Sequence, residues 1–270
     1  MATVARKETL EVKEPLQVAA GGAWLGGFGN LLRKELGQWW GTRTWWIQTL
    51  IWVGILNGVS TIVMMTEGTV PGEIMEVAVQ AFLPMSVGLV ALGAVIAVQG
   101  AIVGEKELGT AAWVMSKPTS RYAFILAKIV AYAVGFGVTA LVIPSALFVI
   151  IAGLVVGTTP AIQPFLLGVG IVALNLLFYL TLTLMLGTLY SGRGPVAAIG
   201  IGFVLTGLLL KSMIPMQVLM VTPWLLGDLS SGLALGMDLP PNWFLPIVAT
   251  GFWIVLMAVV ALWRFNREEF

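Results

Sequence analysis

The sequence predicts an all-α integral membrane protein. It should have six membrane-spanning helices, an N-terminal helix lying in the membrane interface, a short helix after the second span and a re-entrant hairpin before the sixth. Three observations predict this class. Only 10% of the 270 residues are charged and 59% are hydrophobic, with a mean hydropathy of +0.97; a soluble domain carries about 25% charged residues. The charge-free runs 44–66, 77–104, 129–192, 194–210 and 239–263 bracket the roughly 20 apolar residues that one crossing needs. Finally, every Lys and Arg except Lys211 falls on the connections of one side, and Glu67, Glu73, Glu76, Asp228 and Asp238 fall on the other. The positive-inside rule then places both termini in the cytoplasm, in a multi-pass protein of the plasma membrane.

The elements follow in chain order. Residues 1–21 mix charge with little apolar content and read as a mobile cytoplasmic tail; residues 22–270 form the transmembrane domain. Residues 28–43 read as a helix, because Phe28, Leu32, Leu36 and Trp39 share one face at 100° per residue, with Lys34 and Gln38 opposite. Such a helix lies at headgroup depth, its Trp side chains in the interface. The spans are expected over 45–65, 79–103, 129–152, 166–189, 195–212 and 244–263. Gly157 to Pro160 and Pro164 divide the longest run into two. The fifth span is short and ends at Lys211, which snorkels outward or holds an anionic headgroup.

Residues 105–115 read as one short helix with two acids at its positive end. Leu108, Ala111, Ala112 and Met115 fall on one face. Pro118 stops this helix, and Thr119 or Ser120 caps the next. Such a segment suits either a groove on another protein or a solvated turn. Residues 213–243 are too apolar for a solvated loop, and Pro215, Pro223, Pro240 and Pro241 break them up. They read as a helical hairpin dipping in from the outer face, or as a loop lying flat on it.

Composition excludes several functions. With no Cys and no His, zinc, haem and iron–sulfur sites lose their usual ligands, and Cys or Ser-His nucleophiles are absent. A net charge of +1 makes no case for nucleic acid. Gly104 and Gly109 have the opening spacing of a P-loop, but Thr110 and Ala111 follow where Lys and Ser or Thr are required, so this chain carries no nucleotide site. The milder polar residues Asn57, Gln99, Asn175, Tyr179 and Thr183 line a possible substrate pathway or bond between helices. Gly54/Gly58, Gly100/Gly104 and Gly153/Gly157 have the spacing of close helix packing. Apart from Lys211 the expected spans hold no ionisable group, which favours an external energy source over proton coupling.

The run Gly104-Glu105-Lys106-Glu107-Leu108-Gly109-Thr110, then Ser116-Lys117-Pro118-Thr119-Ser120-Arg121, then Ala127-Lys128 resembles the signature of ABC transporter type-2 permeases. Leu31-Leu32-Arg33-Lys34-Glu35-Leu36 is similar to that family's N-terminal helix. The resemblance runs from about residue 24 to near the end. It implies that the N-terminal helix, with Arg33, Lys34, Glu35 and Trp39, is a connecting helix, and that the segment after the second span is a coupling helix. Glu105, Glu107, Leu108, Gly109, Thr110, Ala112 and Met115 would then meet an ATPase. It also implies a membrane-spanning subunit of an exporter for an amphiphilic or lipid-like substrate, paired with a second permease copy or a paralogue and driven by two ABC ATPase subunits that bind ATP and Mg. The alternatives are a passive channel, an ion-coupled carrier or a non-transporting assembly factor.

Overall fold

The computed structural model describes residues 24–116 and 119–268. The expected tail over 1–21, together with Lys117 and Pro118, lies outside the described residues, and so do the side chains of Ala112 and Met115. The described residues are mostly helical, and they include no strand. The first helix among the described residues is α1 (Phe28–Trp40), which Gly41 ends sooner than the periodicity suggests. Five helices are long and apolar enough to cross a membrane: α2 (Thr44–Thr66), α3 (Pro71–Val98), α6 (Arg121–Val155), α7 (Ile162–Leu189) and α11 (Leu245–Asn266). Between α3 and α6 lie α4 (Val103–Glu107) and α5 (Thr110–Met115). After α7 come α8 (Arg193–Leu209), α9 (Met216–Leu219) and α10 (Leu226–Leu235). The chain is thus a multi-pass membrane protein.

Two helices begin before the charge-free runs do. Pro71 starts α3 and Glu73 sits in its first turn, where the missing N–H costs nothing and a carboxylate favours the helix dipole. Ser120 starts α6, its side chain accepting from the Tyr122 N–H at 3.2 Å. Helix α6 therefore takes in Lys128, which charge counting had left at its threshold. Both α2 and α6 contain a π-helical turn, at Val53–Asn57 and Gly137–Val142.

Helix α7 is the axis of the bundle, packing against α3, α10 and α11. Phe82 of α3, Phe148 of α6 and Phe165 of α7 stack at its heart, with ring centroids 4.5 Å (Phe82–Phe148) and 5.4 Å (Phe148–Phe165) apart. Phe124 lies flat on Phe265 at 5.0 Å, tying α6 to α11. Such stacked pairs add about 0.5–1.5 kcal/mol beyond the area they bury.

The segment before α11 is not a flat loop. Helix α10 packs between α3 and α7, burying Leu226, Gly227, Leu229, Ser230 and Ala234. Gly168 of α7 makes this approach possible, since a Cβ there would lie 2.5 Å from the Ser230 carbonyl oxygen. Gly236, at φ +64, ends α10 in the left-handed conformation that glycine accepts without penalty.

Candidate functional site

The charged side chains gather where α1, α4 and the first turns of α6 converge. Lys128 of α6 is 2% exposed, and its Nζ lies 3.1 Å from Glu35 Oε1 of α1 and 3.0 Å from Glu105 Oε1 of α4. Lys34 completes the set, 3.3 Å from Glu35 Oε1 and 3.0 Å from Glu105 Oε1. Four charges therefore alternate round a closed ring whose sum is zero. Ions leave water at a cost of several kcal/mol each, which only close opposite charges offset. Glu105 Oε2 is buried without a hydrogen bond. Trp39, one helical turn beyond Glu35, lies across Gly135 of α6, where a Cβ would come within 2.5 Å of the indole. It also packs on Tyr132 and Phe136 at 6.0 and 5.2 Å.

This arrangement corrects the face assigned to α1. The buried stripe is Leu31, Glu35 and Trp39, about one position round from the expected one, and Lys34 reaches into the ring instead of facing away from it. Arg33 is exposed. The signal was present in the sequence: Leu31, Glu35 and Trp39 recur at i, i+4 and i+8, so Glu35 had to face inward or break the stripe.

Lys106, Arg121 and Glu107 of the segment are also engaged within the chain. Lys106 pairs with Glu268 Oε1 at 2.7 Å and donates to the Thr188 carbonyl at 3.1 Å. Arg121 donates to the carbonyls of Asn266 and Glu268, both at 2.7 Å. Glu107 lies 3.4 Å from Arg193, with both side chains about half exposed. The guanidinium of Arg193 covers Gly100 and Gly104, where added Cβ atoms would meet it at 3.3 and 2.9 Å. Those two glycines make room for a side chain and not for a helix. Gly54 and Gly58 face open space, and Gly157 turns the chain at φ +78.

The single helix expected over 105–115 is two helices, broken where Gly109 takes φ +65. The left-handed backbone at Gly109 ends α4 and turns α5 across it. The expected apolar face divides accordingly. Ala111 and Val114 are buried in the protein, whereas Leu108 is 76% exposed and Trp113 63%. Thr110 is exposed and its hydroxyl donates to the Glu105 carbonyl at 3.2 Å.

The milder polar residues do not converge on one cavity. Asn175 donates from Nδ2 to the Val87 carbonyl of α3 at 2.9 Å, a bond between helices. Thr183 donates to the Tyr179 carbonyl of its own helix at 2.7 Å, and the Tyr179 ring packs edge-on against Phe178 at 5.1 Å. Gln99 turns back to the Ile96 carbonyl at 3.0 Å. Asn57 closes the π-helical turn of α2, 3% exposed, with neither amide atom hydrogen-bonded. Lys211 does not snorkel free; it pairs with Asp228. No protein-family profile matches the chain, and no curated protein matches it.

Proposed function

We propose that this chain is the membrane-spanning subunit of an ATP-driven exporter of the ABC type-2 class, acting on an amphiphilic or lipid-like substrate. The observation that carries the reading is the ring of Lys34, Glu35, Glu105 and Lys128, in which Lys128 and Glu35 are buried and Lys34 reaches in from the surface. Three segments are joined there: the N-terminal helix α1, the segment after the second span and the start of α6, with Trp39 packing on Tyr132 and Phe136 beside them. A force applied to α4 and α5 moves α1 and α6 with them, because separating buried partners costs about 3–5 kcal/mol. Next to this junction stand Leu108 and Trp113, large apolar side chains that are mostly exposed. That pairing of a stiff junction with an exposed apolar tip suits a driven subunit, with ATP and Mg held by two separate ATPase subunits. In this reading the basic end of the bundle faces the cytoplasm, with both termini. Helix α8 makes a sixth crossing, α10 is re-entrant, and a second permease copy or paralogue completes the pathway.

The test is affinity purification in mild detergent, followed by identification of the chains that co-purify. An ATPase should be recovered with the wild type and lost with Leu108→Asp/Trp113→Asp, at unchanged membrane abundance. Both positions are solvent-exposed, so the double variant should keep its fold. Glu105 is the wrong residue for this purpose, because reversing its charge breaks the ring inside the chain. Recovery of the wild type without any ATPase, under conditions that preserve known complexes, overturns the reading.

A further inference from the structure

At the opposite, acidic end, α3, α9, α10 and the segment leading into α11 line an open cavity of about 510 Å³, within the 300–1,000 Å³ usual for small-molecule sites. Its wall is sulfur, aromatic and aliphatic: Met216, Met220, Met237, Leu229 and Trp243. Methionine side chains adapt to irregular apolar shapes, and an indole face attracts a cation at about 0.5–2 kcal/mol. Two carboxylates, Asp228 and Asp238, also line it. Asp228 is neutralised by Lys211. Asp238 is exposed and makes no ion pair among the described residues. The wall carries no Lys or Arg. Pro240 and Pro241 fix the backbone before Asn242, which also lines the cavity at φ +65. A wall stiffened in this way loses little entropy when a ligand arrives.

We propose that this cavity binds a hydrophobic organic cation. The apolar wall selects for a greasy body. The free carboxylate, the indole and the absence of a lining base select for positive charge. The surrounding field agrees, since Glu67, Glu73 and Glu76 also stand at this end against the single Lys211, and such a field concentrates cations near the mouth. An anionic amphiphile would meet Asp238, and the nearby Lys211 is already held by Asp228. The proposal deepens the exporter reading by naming a substrate charge, yet binding itself requires no ATPase.

The test uses the purified full chain in lipid nanodiscs, with empty nanodiscs as background. Radiolabelled tetraphenylphosphonium is the probe and tetraphenylborate, of the same size and shape but opposite charge, is the control. Saturable one-site binding of the cation is expected, at least tenfold tighter than any binding of the anion. Asp238→Lys and Met237→Lys should each weaken it at least tenfold. Both residues are exposed, so the thermal unfolding midpoint should stay at the wild-type value and certify the fold. Equal affinity for the two ions, no saturable binding, or full affinity in a folded Asp238→Lys protein each overturns the proposal. Cation binding to a chain that never recovers an ATPase keeps this site and removes the exporter reading; an ATPase complex that ignores the cation does the reverse.

Discussion

Lys128 shows how much can hang on one residue in a chain this poor in charge. Its side chain is 2% exposed and its ammonium faces two carboxylates that also share Lys34. Substitution Lys128→Met keeps the length and apolar stem but leaves Glu35 and Glu105 crowded on one remaining cation. Removing one partner of a buried pair costs about 3–5 kcal/mol. The thermal unfolding midpoint should therefore fall sharply. The triple change Lys128→Met/Glu35→Gln/Glu105→Gln should recover much of the loss, because the uncompensated charge goes with it. A single Lys128→Met protein as stable as the wild type would show that the ring contributes nothing. Glu107, about half exposed beside Arg193, is the contrast: Glu107→Gln should change stability by less than about 0.5 kcal/mol, since exposed pairs contribute little.

At the scale of elements, the long helices were legible in the sequence and the short ones less so, for a physical reason. A crossing helix announces itself by excluding charge over some twenty residues, and α2, α3, α6, α7 and α11 all stand where such runs were found. The break at Gly109 and the burial of α10 depend on what packs next to them, which periodicity does not record. The ring was half legible: the charges were visible, but their meeting across three segments was not. Two predictions test the packing that sequence could not show. Gly168→Ala should cost about 1–3 kcal/mol, because its Cβ meets the Ser230 backbone carbonyl, which cannot rotate away. Gly170→Ala, with nothing within 4 Å, should be neutral or slightly stabilising; equal effects at both sites would mean that α7 and α10 are not in contact. The end of α11 makes a second case. Glu268 holds Lys106, and the carbonyls of Asn266 and Glu268 hold Arg121, so the end of α11 and the residues just after it clasp α4 and α6 together. Glu268→Gln should weaken that clasp by about 1–2 kcal/mol. The amides of α4 and α5 should then exchange hydrogen about tenfold faster, while those of α7 stay unchanged. Unchanged exchange over 103–115 would show that Glu268 is a bystander.

For the whole molecule the open question is whether the chain crosses the membrane five times or six, and the ion pairs supply the argument. Helix α8 starts at Arg193, beside Glu107 at the basic end, and is followed by Lys211, which pairs with Asp228 at the acidic end. Helix α11 then returns to the basic end, where Glu268 meets Lys106. The path therefore traverses the bundle between Arg193 and Lys211. Seventeen residues of helix span only about 25 Å, against about 30 Å of hydrocarbon. The helix is thus about one turn short, and the 3₁₀ turn Lys211–Met213 extends it. The absence of cysteine makes single-Cys labelling clean. Ser191→Cys and Ser212→Cys flank α8 at exposed positions. With six crossings, a membrane-impermeant maleimide added to intact cells should label Ser212→Cys and leave Ser191→Cys untouched until the cells are opened. Thr158→Cys, exposed between α6 and α7, should label like Ser212→Cys. Ser116→Cys, in the basic loop, should behave like Ser191→Cys, as the positive-inside rule requires. Labelling of Ser191→Cys and Ser212→Cys from the same side would mean that α8 does not cross. Because α11 still would, the C-terminus would then lie on the side opposite Ser116, and the Lys106–Glu268 pair would be impossible. The labelling experiment therefore tests the crossing number and, through it, the Lys106–Glu268 pair, which five crossings would forbid.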